Sequence, residues 1–359
     1  IKHCMGIISK ICSFFNTAKR NFLLQEEIKA DLSRESTHFK LKQLCATRWS
    51  ERHDSVSIFL ELFDYILSAL HKISSTWDSS ETSSTAFCLL TSMKSMEFII
   101  ALLTINRVFD FSSNLCKYLQ SPKIDLCEAI SYAKIVTQRV NEIRENVDVE
   151  FETLYAKASA YAEKYEIEIK VPRLAIQRSI SPITYYKSNI FINFLDHFIM
   201  QMNERFLIHE QLLSSFQFLL APSPLDQHNL HLLKNILQTY EADLQCNIEG
   251  LMNEYEIWHK RVEMLKRPLK NVEDALNNCN PIICENIFII LRIFATLPVS
   301  TCENERSFSM LRRLKTYLRS TTSENRLNRL ALMNLYTDLM PSVEDVLDEM
   351  AKTNLKVLI

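Results

Sequence analysis

Side chains able to do chemistry are densest between residues 298 and 336. Two acids, Glu303 and Glu305, stand where a helix should begin, and the cations Arg306, Arg312, Arg313, Lys315 and Arg319 follow. A carboxylate in a first helical turn is favoured by the positive end of the backbone dipole, and Arg306 beside it offers a partner. The strip Arg312-Arg313-Leu314-Lys315 with Arg319 suits either phosphate contact or a solvated, salt-bridged face. Earlier in the chain, Arg48 and Trp49 set a cation beside a large aromatic. Such a pair can touch phosphate and stack on an unpaired base, or it can be a core anchor with a surface Arg. His228 and His231 have a spacing that zinc ligands use, with Cys279 and Cys284 about fifty residues on. Two more ligands at matching spacing are missing, so ordinary packing and surface explain them better. With only two glycines, Gly6 and Gly250, no Gly-rich phosphate loop or G-x-S-x-G nucleophile elbow is present.

The elements that must position this cluster are two helices, each with its own start signal. Ser300-Thr301-Cys302-Glu303 fits a capping box, which explains Glu303 without any metal role, and Thr321-Thr322-Ser323-Glu324 repeats it. Pro298 stops the helix before. Phe308, Leu311, Leu314 and Leu318 recur every three or four residues. So do Leu327, Leu330, Ala331, Asn334 and Leu335, giving two apolar stripes that must face something. Across 303–336 seven Lys/Arg oppose three Glu, a net charge of +4. Periodicity thus predicts two amphipathic helices that pair with another surface.

The 359 residues suffice for one large or two ordinary domains with a real core. Two glycines against nine prolines disfavour a sheet, whose tight turns need residues tolerant of positive φ, and favour a mainly α fold. The net charge of −2 implies no whole-chain attraction to nucleic acid, so any DNA contact must come from local patches. Ten scattered cysteines without a C-x-x-C pair suit reduced thiols inside a cell. There is no secretory signal and no run of eighteen apolar residues, so no membrane partner is expected. The chain opens on Ile1 in helical sequence, as expected of a fragment whose start lies upstream.

In order, residues 2–32 read as one or two helices with a break at Asn16-Thr17, and Ile7, Ile8, Ile11, Phe14 and Phe15 on one side. The alternation Leu41, Gln43, Cys45 is a short strand signal. Helices are expected near 53–75 and 83–119 around a turn at Trp77–Thr85, then one long helix over about 124–166. A connector over 167–181 precedes a helix through 190–206, apolar nearly all round and so expected to be buried. Helices near 226–239, 241–265 and 281–296 follow, and a last one near 342–355 capped by Ser342. No fixed period recurs, which excludes a solenoid.

Pro298, Ser300, Glu305, Arg306, Phe308 and Ser309, continued by LRRLKTYLRST and a Leu-rich helix, resemble the C-terminal signature of the hAT (hobo–Activator) superfamily of DNA transposases. The continuation is similar to transposon-derived proteins that carry MYM-type zinc fingers upstream. Thr47-Arg48-Trp49-Ser50 with Arg52 resembles a motif of the same proteins, about 250 residues before Glu305 and in the right order. Val171-Pro172-Arg173 and Gln177-Arg178 add shorter matches.

The resemblance implies a ribonuclease H-like catalytic fold in which two Asp and one Glu hold two divalent metals, Mg²⁺ in a complete transposase. Glu305 takes the position of that Glu. Both Asp residues belong before the Trp49 motif, where this chain offers only Asp31 in helical sequence; Asp54 and Asp196 come after it. One carboxylate cannot position two metals, so the chain as given is expected to be inert and to need no cofactor. Three regions are expected: a remnant of the catalytic fold over 1–49, a helical insertion over 50–280, and a C-terminal dimerisation region over 281–359. The function expected is dimerisation, as a homo-oligomer, through Phe308, Leu311, Leu314, Leu327, Leu330 and Leu335. Arg48, Trp49, Arg312, Arg313 and Lys315 are candidate nucleic-acid contacts, and residence in the nucleus is implied. The alternatives are a fragment of an active transposase that cuts and joins DNA, or a domesticated DNA-binding regulator.

Overall fold

A computed structural model describes residues 1–31, 37–44, 49–77, 79–121, 126–171, 180–207, 210–244, 246–297, 302–315, 321–336 and 340–352. Side chains at 49–51, 207, 210–212 and 302–306 lie outside that description. The described residues form helices and connections, with no strand among them. They divide into two units, Ile1–Val299 and Ser300–Ile359.

The first unit opens with α1 (Lys2–Phe14) and α2 (Ala18–Ala30), broken at Asn16-Thr17 as the sequence implies. Ile7, Ile8, Ile11, Phe14 and Phe15 are all buried. Then come α3 (Trp49–Glu61), α4 (Phe63–Thr76), α5 (Ser80–Met93) and α6 (Met96–Tyr118). Ser79 and Ser95 cap α5 and α6 by accepting from Thr82 N–H and Phe98 N–H, so helix has already resumed within the expected Trp77–Thr85 turn. Among the described residues α6 alone is long and apolar enough to cross a bilayer, with mean hydropathy 1.2, but 56% of that window is buried within the protein. Its Phe98–Leu102 segment and Ile105 sit at the centre of a core shared with α1 to α5.

The helices expected near 53–75 and 83–119 are each two, parted at Leu62 and at Lys94-Ser95, and four further expectations need correction. Residues 41–44 form no strand, and Cys45 lies outside the described residues: Leu41 is buried, Gln43 Nε2 donates to the Cys12 carbonyl at 2.6 Å, and Ser55 Oγ donates to the Gln43 carbonyl at 3.1 Å. The long helix is two, α7 (Leu126–Glu145) and α8 (Val147–Lys164), because Asn146 leaves helical geometry at ψ 31° and turns its side chain back onto the Glu142 carbonyl at 2.9 Å. The third correction concerns Pro182–Leu207, which runs as α9 (Pro182–Tyr186), a π turn (Lys187–Ile192), α10 (Asn193–Met202) and a second π turn (Asn203–Leu207). Each π turn shifts the helical phase. Ile190, Phe191, Leu195 and Met202 are thereby buried, while Asp196, His197 and Met200 are exposed. Finally, the second start signal of the C-terminal pair is displaced: Ser323 flanks the helix, with no side-chain cap bond, and Glu324 is its first residue.

A second core is built by α11 (Glu210–Leu220), α12 (Gln227–Thr239), α13 (Ile248–Met264), α14 (Val272–Asn278) and α15 (Glu285–Thr296). Asp226, Asn247 and Asn271 cap three of these starts. Phe216 stacks on Phe294 at 4.8 Å and Phe218 on Tyr255 at 4.5 Å, while buried Trp258 donates from Nε1 to the Leu219 carbonyl at 2.9 Å. Cys284, at the start of α15, supplies no side-chain cap. Glu254 of α13 does so instead: its carboxylate accepts from Asn286 N–H at 2.8 Å, Ile287 N–H at 3.2 Å and Asn286 Nδ2 at 2.6 Å. An acid on one helix thus satisfies the free donors of the next and ties the two together.

The second unit contains α16 (Cys302–Leu314), α17 (Glu324–Leu335) and α18 (Val343–Lys352), and α16 packs on α17. At α18 the expected cap is complete. Ser342 Oγ accepts from Asp345 N–H at 3.1 Å, and the Asp345 carboxylate accepts from Ser342 N–H at 3.1 Å, a reciprocal capping box.

Two outcomes follow for stability. Replacing Glu254→Ala orphans the α15 N–H groups and is expected to cost about 1–2 kcal/mol, read from the denaturant midpoint. His53 is buried against Phe109, and burial pushes its imidazole down to about 4. The unfolded chain therefore binds the extra proton first, so stability falls as pH drops from about 6.5 towards 4. A His53→Phe variant is expected to flatten the unfolding midpoint over that window; an unchanged slope contradicts the assignment.

Candidate functional site

In the second unit the stripes named from periodicity are in place, but they enclose no core. No residue of α17 or α18 is buried, and none of the described side chains of α16 is. Phe308 is 71% exposed and Leu335 52% exposed, while Leu311, Leu314, Leu327 and Leu330 are half-buried where the two helices meet. Leu332, Met333 and Tyr336 are also exposed. A lone exposed leucine is ordinary, but a run of large apolar side chains on packed helices marks a surface that associates.

Cations frame this surface. Arg312, Arg313 and Lys315 are exposed on and just beyond α16, as are Arg326 and Arg329 on α17. On a helix, Arg312 and Lys315 stand four and seven residues beyond Phe308, so all three share one face. Arg326 and Arg329 likewise share a face with Met333 and Tyr336 on α17. The last four side chains were not all foreseen. Met333 and Tyr336 fall outside the Leu-based stripe, and only their exposure separates them from packing residues.

The remaining candidates are not gathered into a catalytic constellation by the described geometry. Glu305 lies within α16, and Trp49 is the first residue of α3; both side chains, Arg48 and Leu318 fall outside the described residues. Each weighed aspartate has a structural partner. Asp31 accepts from Tyr65 Oη at 2.8 Å, Asp54 pairs with Lys42 at 2.8 Å, and Asp196 pairs with Arg144 at 2.6 Å. His228 and His231 are exposed on α12, whereas Cys279 and Cys284 are buried. Burial pushes the Cys279 thiol up to about 12, against the thiolate that zinc requires. Among the described residues no group of three or more His, Cys, Asp or Glu could hold a metal.

Against known proteins, residues 271–339 match the hAT family C-terminal dimerisation region. That stretch takes in α14 and α15 as well as the exposed pair α16 and α17. Over 366 residues the chain is 26% identical to the human (Homo sapiens) protein named 52 kDa repressor of the inhibitor of the protein kinase, covering 97% of this chain and 48% of that protein. The mouse (Mus musculus) protein of the same name is 26% identical over 367 residues, with the same two coverages. The chain therefore spans about half the length of the curated relatives it matches. Neither match bears on the MYM-type resemblance.

Proposed function

We propose that the chain self-associates through the apolar surface of α16 and α17, with Phe308, Leu311, Leu314, Leu327, Leu330 and Leu335 at the contact. The carrying observation is that helices with strong apolar stripes fully bury none of their described side chains within their own unit. Apolar surface left in water forgoes roughly 25 cal/mol per Å², and a second copy of the same surface recovers it with closed two-fold symmetry. The match of residues 271–339 supports this reading.

The wider setting is a hAT-derived protein that regulates rather than cuts. Its relatives are named as repressors, which favours a domesticated regulator over an active transposase. In this reading residues 1–49, 50–280 and 281–359 would be catalytic-fold remnant, helical insertion and dimerisation region. Glu305 stands at the position that resembles the transposase Glu. Arg48, Trp49, Arg312, Arg313 and Lys315 are the residues that would meet DNA in the whole protein, and such a regulator resides in the nucleus.

Sedimentation velocity at micromolar concentration is expected to give a dimer. The double variant Phe308→Asp with Leu335→Asp is expected to give a monomer whose unfolding midpoint is little changed, since exposed substitutions usually act within about 0.5 kcal/mol. A strictly monomeric parent chain overturns the reading.

A further inference from the structure

The last helix, α18, lies just beyond the matched region 271–339. Every residue from Met340 to Lys352 is exposed. Yet the sequence of α18 is that of a docking helix. Val343, Val346, Leu347 and Met350 fall at positions one, four, five and eight, forming one apolar stripe, and their exposures are 70%, 42%, 60% and 43%. The Ser342–Asp345 capping box fixes its start. A ten-residue helix is marginal in water on local bonds alone, so its apolar face implies a surface that covers it.

Charge identifies that surface. α18 carries Glu344, Asp345, Asp348 and Glu349 against Lys352. At 100° per residue, Glu344 and Glu349 flank the apolar stripe on its two sides. The described faces of α16 and α17 have the inverse pattern: exposed Phe308 with Arg312 and Lys315, and exposed Met333 and Tyr336 with Arg326 and Arg329. An apolar stripe edged by acids thus matches apolar faces edged by cations, and these faces adjoin it in sequence at the proposed self-association surface.

We propose that α18 of one protomer lies across the basic, apolar face of α16 and α17 in a second copy of the chain, so that each protomer lends its last helix to the other. This rests on the self-association reading above and adds to it the acidic helix outside the matched region as a reciprocal contact. Apolar side chains supply the burial, and the flanking charges set orientation and exclude the wrong register.

Two charge-reversed full chains test it. One carries Glu344→Lys with Glu349→Lys; the other carries Arg312→Glu with Lys315→Glu. All four sites are exposed, so the helical circular dichroism should match the parent. Each variant alone puts like charges together, and its dimer dissociation constant in sedimentation equilibrium is expected to rise about tenfold or more. Mixed in equal amounts, the two restore opposite charges at both contacts, and heterodimers of near-parent affinity are expected. A parent dimer whose variants are unimpaired, or whose mixture is no tighter than either alone, overturns the exchange of α18 while leaving self-association standing. A monomeric parent chain overturns both.

Discussion

The constraint on which the structure turns is that amphipathic helices must hide their apolar faces. In the first unit they do so mainly in two cores. One gathers α1 to α6 with parts of α7 to α10. The other is stitched by stacked aromatics, by the Trp258 indole and by a carboxylate that caps the neighbouring helix. In the second unit the same kind of helix is present without a core. Its side chains are the right types at the right spacing, and water meets them. Two helices packed on one another cover only the inner part of each stripe, which is why Leu311, Leu314, Leu327 and Leu330 are half-buried and Phe308 and Leu335 are not.

That contrast gives the matched dimerisation region its physical meaning. Residues 271–339 run from helices sealed in the second core to helices sealed by nothing in their own unit. Asp31, Asp54 and Asp196 are each engaged in local hydrogen bonds or ion pairs, which is what ordinary surface acids do.

Much of this was legible in the sequence, for identifiable reasons. The scarcity of glycine disfavoured a sheet, and no strand occurs among the described residues. The break at Asn16-Thr17 was readable because polar residues interrupt the apolar period there, and the cap at Ser342 because capping chemistry is local. Misreadings arose where tertiary or backbone detail decides. The break at Asn146 turns on one residue that a smooth apolar period conceals, and the π turns around α10 shift a phase that periodicity assumes constant. The candidate site was legible as to its residues but not as to its exposure. Phe308 and Leu291 look equally suited to a core, yet only Leu291 lies in one.

Hydrogen exchange of the α17 amides, followed as protein concentration rises through the micromolar range, tests the central claim most directly. If a second copy covers these helices, their protection must grow with concentration, while the amides around Trp258 stay constant. Protection of α17 that is independent of concentration would show that these helices are complete within one chain, and would contradict the account.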